Sequence, residues 1–251
     1  MTTYHAALPM YDQPELRPVT DALWQSILAG MHKRGAEPVV DFLRPSTNEE
    51  NDVILRNPYL LLSQTCWGPI SCGITPDLHI LAQPDFSNHL GGIGPLYRSA
   101  IIATGHGPNL IPNKSGEASL PLVAMNGKRL AFNDRMSLSG YLGIISDVNA
   151  KTGERKAFYS EGLHSGSHRR SVAMVAKGDA DIAAIDCKTW NFVQRYDKAA
   201  KFVHVIGWTQ AREGLPYVCS PTLDSKLKKL LTATLLELGA FPANRSYNHK
   251  L

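Results

Sequence analysis

The strongest constraint on this chain is an alternation that runs almost throughout: short apolar runs trade places with segments whose apolar residues recur at helical spacing. "YHAALPMY" (Tyr4 to Tyr11) reads as a strand, and Pro18 to Lys33 then carries Val19, Leu23, Ile27, Leu28 and Met31 on a helical stripe. "PVVDFL" is a second strand. "YLLLSQ" (Tyr59 to Gln64) is a third, and its unbroken apolar character suits burial on both faces. Pro69 then opens a short helix, because proline fits the first helical turn. "LHILAQP", "YRSAIIAT" (Tyr97 to Thr104), "KRLAFND", "KAFYSEG", "ADIAAID", "KFVHVIGWT" and "LPYVCSP" follow as strands. Helices are expected over "SLSGYLGIISDVNA", over Ser167 to Lys177, around Trp190 and Val193, and over Leu223 to Leu238. Strands alternating with helices in this way argue for α/β sheets that are mainly parallel.

The chain has 251 residues, 43% of them hydrophobic, enough for one large domain or two lobes. The stretch "GHGPNLIPNKSGEASLP", rich in Gly, Pro and Asn, is the expected junction between lobes, with Phe202 to Gly207 carrying the chain back. The formal charge of +4 is spread out, without the basic stripe and interleaved aromatics of a nucleic-acid binder. Cys66, Cys72, Cys187 and Cys219 show neither CxxC spacing nor a Cys/His cluster, so they read as buried free thiols and no metal or cofactor is expected. The first residues lack a basic region followed by an apolar one, and no run of 18 apolar residues occurs to span a membrane. The chain as written is expected in the cytoplasm; one from which a leader had been cut would read the same and belong in the periplasm.

Three turns that lead into helices share a design: "SQTCWGPIS" (Ser63 to Ser71), "NDRMSLSGYL" (Asn133 to Leu142) and "HSGSHRRSV" (His164 to Val172). Hydroxyls and backbone N–H groups at helix starts suit a carboxylate, phosphate or phosphonate. In open α/β sheets such turns gather at the carboxyl ends of strands, where ligands bind. The same residues serve equally as ordinary N-caps. The third turn is unusual, because Arg169 and Arg170 stand where a helix start prefers acids, at a cost of a few tenths of a kcal/mol without a nearby negative charge. Either they are solvated or they wall an anion site. Asp186, closing "ADIAAID", caps the next helix or orients a ligand. Tyr11, Trp67, Tyr97, Tyr141 and Trp190 lie near strand ends, as core or as pocket walls. No Gly-x-Ser-x-Gly elbow, GxxxxGK[ST] or helix-opening GxGxxG occurs.

"KRLAFNDRMSLSGYL", "SGSHRRSVAMVAKGDADIAAIDCKTW" and "HVIGWTQAREGLPYVCSP" resemble, in order, the signature segments of the phosphate/phosphonate-type solute-binding proteins of ABC importers. The similarity reaches back through "LLLSQTCWGPI" and "LPMYDQPE". It implies a two-lobed type II periplasmic-binding-protein fold, with residues 1–101 and 205–251 in one lobe, 102–204 in the other, and a ligand cleft between them. It implies a binding protein for a small anion, with an ABC permease as partner, no catalytic residue, and a monomer or weak dimer. Ser137 and Ser139 match the hydroxyls that hold the anionic head, His168 the histidine that reaches it, and Asp186 the acid at the ligand's far or amino end. Tyr11, Thr65, Trp67, Tyr97 and Ser167 complete the expected ligand-binding set. Leu138 stands where the family has threonine, and "CWGP" replaces "CGYP", so a carboxylate remains an alternative to phosphonate. A cytoplasmic enzyme on the same fold, of the menaquinone- or thiamine-precursor type, is the alternative function; the thiamine type's cysteine-rich motif is missing here.

Overall fold

The apolar runs supply the strands of two main sheets in a computed structural model that describes residues 2–73 and 77–243. Packing divides these residues into two units, 2–85 with 214–243 and 86–213. The first segment holds β1 (Thr3–Ala6), α1 (Arg17–Lys33), β2 (Val39–Phe42), α2 (Asn48–Leu55), β3 (Leu60–Gln64), α3 (Trp67–Ser71) and β4 (His79–Gln83). The second unit holds β5 (Leu96–Tyr97), β6 (Ser99–Thr104), α4 (Leu122–Met125), β7 (Arg129–Phe132), α5 (Gly143–Thr152), β8 (Glu161–His164), α6 (His168–Lys177), β9 (Ile182–Asp186), α7 (Cys187–Tyr196), β10 (Val203–Trp208) and β11 (Arg212–Glu213). The chain ends through β12 (Tyr217–Cys219), α8 (Ser225–Glu237) and β13 (Phe241–Pro242).

In the first unit the strand order is β13-β4-β12-β3-β1-β2. β1 runs parallel to β2 and β3, while β12 lies antiparallel between β3 and β4. β3 is buried at every residue, as its unbroken apolar run requires. Trp24, Ile27 and Met31 of α1 pack with Leu231 and Leu235 of α8 over Ala6, Leu62, Leu81 and Cys219. The stripe of α1 differs from expectation at its start: Val19 is 66% exposed and Thr20 takes the inward place. α2 was not anticipated. Its start is fixed by Thr47, which accepts the Glu50 N–H at 3.2 Å, and by Glu50, whose carboxylate accepts from the N–H and hydroxyl of Ser46.

In the second unit the order is β10-β6-β9-β7-β8, with β7 parallel to β8 and β9, and β6 antiparallel to both β9 and β10. Ile144 and Val148 of α5 close one face over Ile101, Leu130, Ile182 and Ala184. β5 and β11 form a separate two-stranded ribbon. Both main sheets are therefore mixed.

Several elements depart from the expected bounds for identifiable reasons. "YHAALPMY" is a strand only to Ala6, and Pro9 then opens a 3-10 turn over Pro9–Tyr11, since proline lacks the N–H that a ladder needs. "YRSAIIAT" breaks at Arg98, whose buried side chain donates to the Asn113 carbonyl at 2.6 Å. "KAFYSEG" becomes a strand only at Glu161, with Phe158 and Tyr159 packing against the core from the preceding bend. The expected lobe junctions at 101/102 and 204/205 fall inside β6 and β10, which pair with each other from Ala100–Trp208 to Thr104–Val203. The loop at 105–121 folds back on that pair, with Asn109 accepting the Val205 N–H and Ser119 pairing with Trp208, so it lies within the second unit. Residues 244–251 of the expected first lobe lie outside the described residues. Of the cysteines, Cys187 and Cys219 are buried free thiols as expected, but Cys72 is exposed and Cys66 partly so. No helix among the described residues is long and apolar enough to cross a membrane.

Candidate functional site

The second unit gathers its polar residues where β7, β8 and β9 end. After Phe132 the chain leaves β7 through Asn133 and Asp134, and the Asp134 carboxylate accepts the Met136 N–H at 2.7 Å, folding the turn tightly. Ser137 caps a short π-helical turn, Leu138–Leu142, by accepting the Gly140 N–H at 3.0 Å, and this turn runs into α5. Asp147 of α5 is tied to Arg212 and accepts the Gln210 N–H at 2.8 Å, which fixes the helix against β11. After β8, Ser165 bonds the Phe132 carbonyl at 3.1 Å and the Ser171 hydroxyl at 2.7 Å, binding the end of β7 to α6. Ser167 caps α6 by accepting the Arg170 N–H. Asp186 caps α7 by accepting the Thr189 N–H at 2.9 Å.

These three turns bring four expected residues into one chain of contacts. The hydroxyls of Ser137 and Ser139 lie 3.3 Å apart, Ser139 Oγ is 2.8 Å from His168 Nε2, and that nitrogen is 3.5 Å from Asp186 Oδ2. Burial holds the His168 imidazole below the usual histidine range; Asp186 and the Ala184 carbonyl pull the other way without prevailing. Ser139 and Asp186 approach the same ring nitrogen. A hydrolytic Ser–His–Asp relay needs the acid on Nδ1 and the serine on Nε2, so this arrangement does not build one. It presents two hydroxyls and an imidazole beside the starts of α6 and α7, a donor set for an oxyanion.

Two further residues join the cluster that the sequence did not single out. Asn133 sends its side-chain oxygen into the site, where it is buried with no hydrogen-bond partner. A methyl group on Gly140 would come within 1.8 Å of that oxygen and 3.0 Å of His168 Cε1, so only glycine leaves room for both. Lys188, in the first turn of α7, has its ammonium lowered by burial and drawn back up by Asp186. Their only sequence signals are position: one ends the strand before the serine turn, and the other stands two residues after Asp186.

The other expected residues lie as follows. Leu138 is buried, so the position that would carry a third hydroxyl faces protein. Tyr97 packs against Phe86 with ring centroids 5.6 Å apart. Tyr11 and Thr65 leave the carboxyl ends of the parallel neighbours β1 and β3 in the first unit, and Trp67 opens α3 there. The two arginines are not an anion wall. Arg169 pairs with Asp197 and lies over the Phe192 ring, 5.3 Å from its centroid, while Arg170 is exposed. An acid of the same unit supplies the negative charge that the helix start calls for.

Comparison with known proteins fits this geometry. No curated protein sequence matches the chain. PhnD1 from Prochlorococcus marinus, solved in complex with methylphosphonate, superposes with a TM-score of 0.69 at 19% identity, over 94% of this chain and 84% of that one. A binding protein component of an ABC phosphonate transporter from Pseudomonas aeruginosa gives 0.64 at 17% identity, over 96% and 80%. An ancestral arginine-binding protein bound to arginine gives 0.60 at 12%, over 95% and 92%. These likenesses establish the fold, that of the two-lobed periplasmic binding proteins, and the third shows that the fold alone does not name a ligand. A family model described as "ABC transporter, phosphonate, periplasmic substrate-binding protein" matches residues 87–248, well over half of the sequence. That family consists of binding proteins and not of enzymes, which sets aside the alternative of a precursor-making enzyme. The chain belongs to the periplasmic substrate-binding proteins of phosphonate ABC transporters.

Proposed function

We propose that this chain captures a small phosphonate-type anion in the periplasm and delivers it to an ABC permease. The observation that carries the reading is the linked set Ser137, Ser139, His168 and Asp186, built from three separate strand ends of one sheet. The anionic head sits on the two hydroxyls and the imidazole, aided by the starts of α6 and α7. Tyr11, Thr65, Trp67, Tyr97 and Ser167 enter as ligand contacts through the family resemblance. The methylphosphonate complex of PhnD1 supports a phosphonate. Buried Leu138 leaves the head one hydroxyl fewer, which keeps a phosphate ester or small organic acid as a second reading.

The test is titration with methylphosphonate, inorganic phosphate and a small carboxylate while following the melting temperature. A true ligand at a hundred-fold excess over Kd stabilises the protein by about 2.7 kcal/mol. Ser139→Ala is expected to weaken that binding by about 1.5–3 kcal/mol, the worth of a hydrogen bond to a charged group. If no anion moves the melt, or if Ser139→Ala leaves the affinity unchanged, the assignment fails.

A further inference from the structure

Arginine does not give up its proton in a protein, so a buried guanidinium keeps its charge and calls for an anion beside it. In the second unit Arg129, Arg169 and Arg212 each have an aspartate of their own: Asp181, Asp197 and Asp147. Arg98 lies deeper than any of them, at 2% exposed, yet no carboxylate pairs with it among the described residues. Its one acceptor is the Asn113 carbonyl, 2.6 Å from Nη1, while Nε and Nη2 are buried without a partner. Those two nitrogens form one edge of the planar group, the fork that receives an anion between two parallel N–H bonds. Burial lowers the guanidinium, and no neighbouring acid draws it back up.

The surroundings limit the size of what fits. Residues 113–117 fold over the guanidinium: the Asn113 side chain donates to the Glu117 carbonyl at 3.1 Å, and the Gly116 carbonyl accepts the Ala211 N–H at 2.8 Å. Outside its chain neighbours, a methyl group on Gly116 would meet only Ala211 Cβ at 3.6 Å and Arg98 Nη2 at 3.8 Å, so a single heavy atom fits against that nitrogen. We propose that Arg98 binds a small monovalent anion of the chloride class on its Nε and Nη2, closed in by residues 113–117. None of these contacts is shared with the Ser137–Asp186 cluster, and the inference does not depend on what that cluster binds. The anion's part is structural: by neutralising the guanidinium it holds the loop at 105–121 against the end of β5.

The experiment follows the melting temperature of the whole protein as sodium gluconate, whose anion is too large for this place, is replaced by sodium chloride at constant ionic strength. Methylphosphonate is kept in excess throughout, to keep chloride out of the other site. The wild type is expected to gain stability, its folding constant rising about tenfold for each tenfold of chloride above the Kd. Arg98→Met keeps the apolar stem, removes the charge and is expected to lose that dependence. Wild-type crystals soaked in sodium bromide are expected to show an anomalous peak beside Nε and Nη2. A melt that chloride does not move overturns the inference, as does a dependence that Arg98→Met retains. A bromide map without a peak at Arg98 overturns it too, and that measurement decides the matter where the variant does not fold.

Discussion

His168 is buried among a hydroxyl, a carboxylate and the Ala184 carbonyl, and the balance keeps its ring neutral below its ordinary value of 6.5. The unfolded chain titrates at that ordinary value. As pH falls through it, the unfolded state takes up a proton that the folded state refuses, so stability is complete above it and declines below it. The melting temperature without ligand is therefore expected to drop as pH is lowered from 7 toward 5, and His168→Gln to flatten that slope. An anion placed beside Nε2 reverses the preference and favours the charged ring. Binding should then take up protons, and affinity should rise as pH falls. Calorimetry in buffers of different ionisation enthalpy measures this, with His168→Gln subtracting the ligand's own titration. Ser137, Ser167 and Asp186 were legible as candidates because they stand at cap positions, where small hydroxyls and acids form a pattern, whereas Ser139 and His168, just inside their helical turns, came in through the family resemblance. Asn133 and Lys188 were not legible, since neither residue type in its place breaks any rule that a single sequence reveals.

At the level of elements, the alternation of apolar runs and helical stripes marked most strands and helices, but it passed over the short α4, β11 and β13 and left the ends of the others open. What moved the ends was local. Pro9 stopped β1, the buried Arg98 split the run that became β5 and β6, and the Ser137 cap turned the first residues of a helix into a π turn. α2 carries few apolar residues and was overlooked, although Thr47 and Glu50 stand at the spacing of a helix cap. Caps carry the predictions at this scale. Ser167→Ala removes the acceptor for Arg170 N–H and is expected to cost about 1 kcal/mol of stability, read as a lower melting temperature. Because the cap sets where His168 stands, anion affinity should fall with it. Gly140→Ala is expected to cost about 1–3 kcal/mol by overpacking, and to weaken binding through the displaced Asn133 and His168. A variant with unchanged melting and unchanged affinity would contradict the packing described around Gly140.

Across the whole molecule the division into two units is uneven in sequence. The second unit is one unbroken stretch, 86–213, with its own sheet, its own core and the whole Ser137–Asp186 cluster. Expressed alone, it is expected to fold cooperatively and to keep the contact between Ser139 and His168, which the imidazole resonances in NMR would report. Packing divides the chain at 85/86 and 213/214 rather than at the expected junctions, and the loop rich in Gly and Pro that reads as a linker returns its residues to β10. The first unit is assembled from two distant stretches. β12 fills the place between β3 and β4, and it comes more than a hundred residues after them. As the chain emerges from the ribosome, β3 and β4 must wait with a vacant slot between them while the second unit is made and has time to fold. A messenger cut short before Tyr217 would therefore yield a finished second unit joined to a half-built sheet, and the leucines of β3 would be what chaperones and proteases meet first.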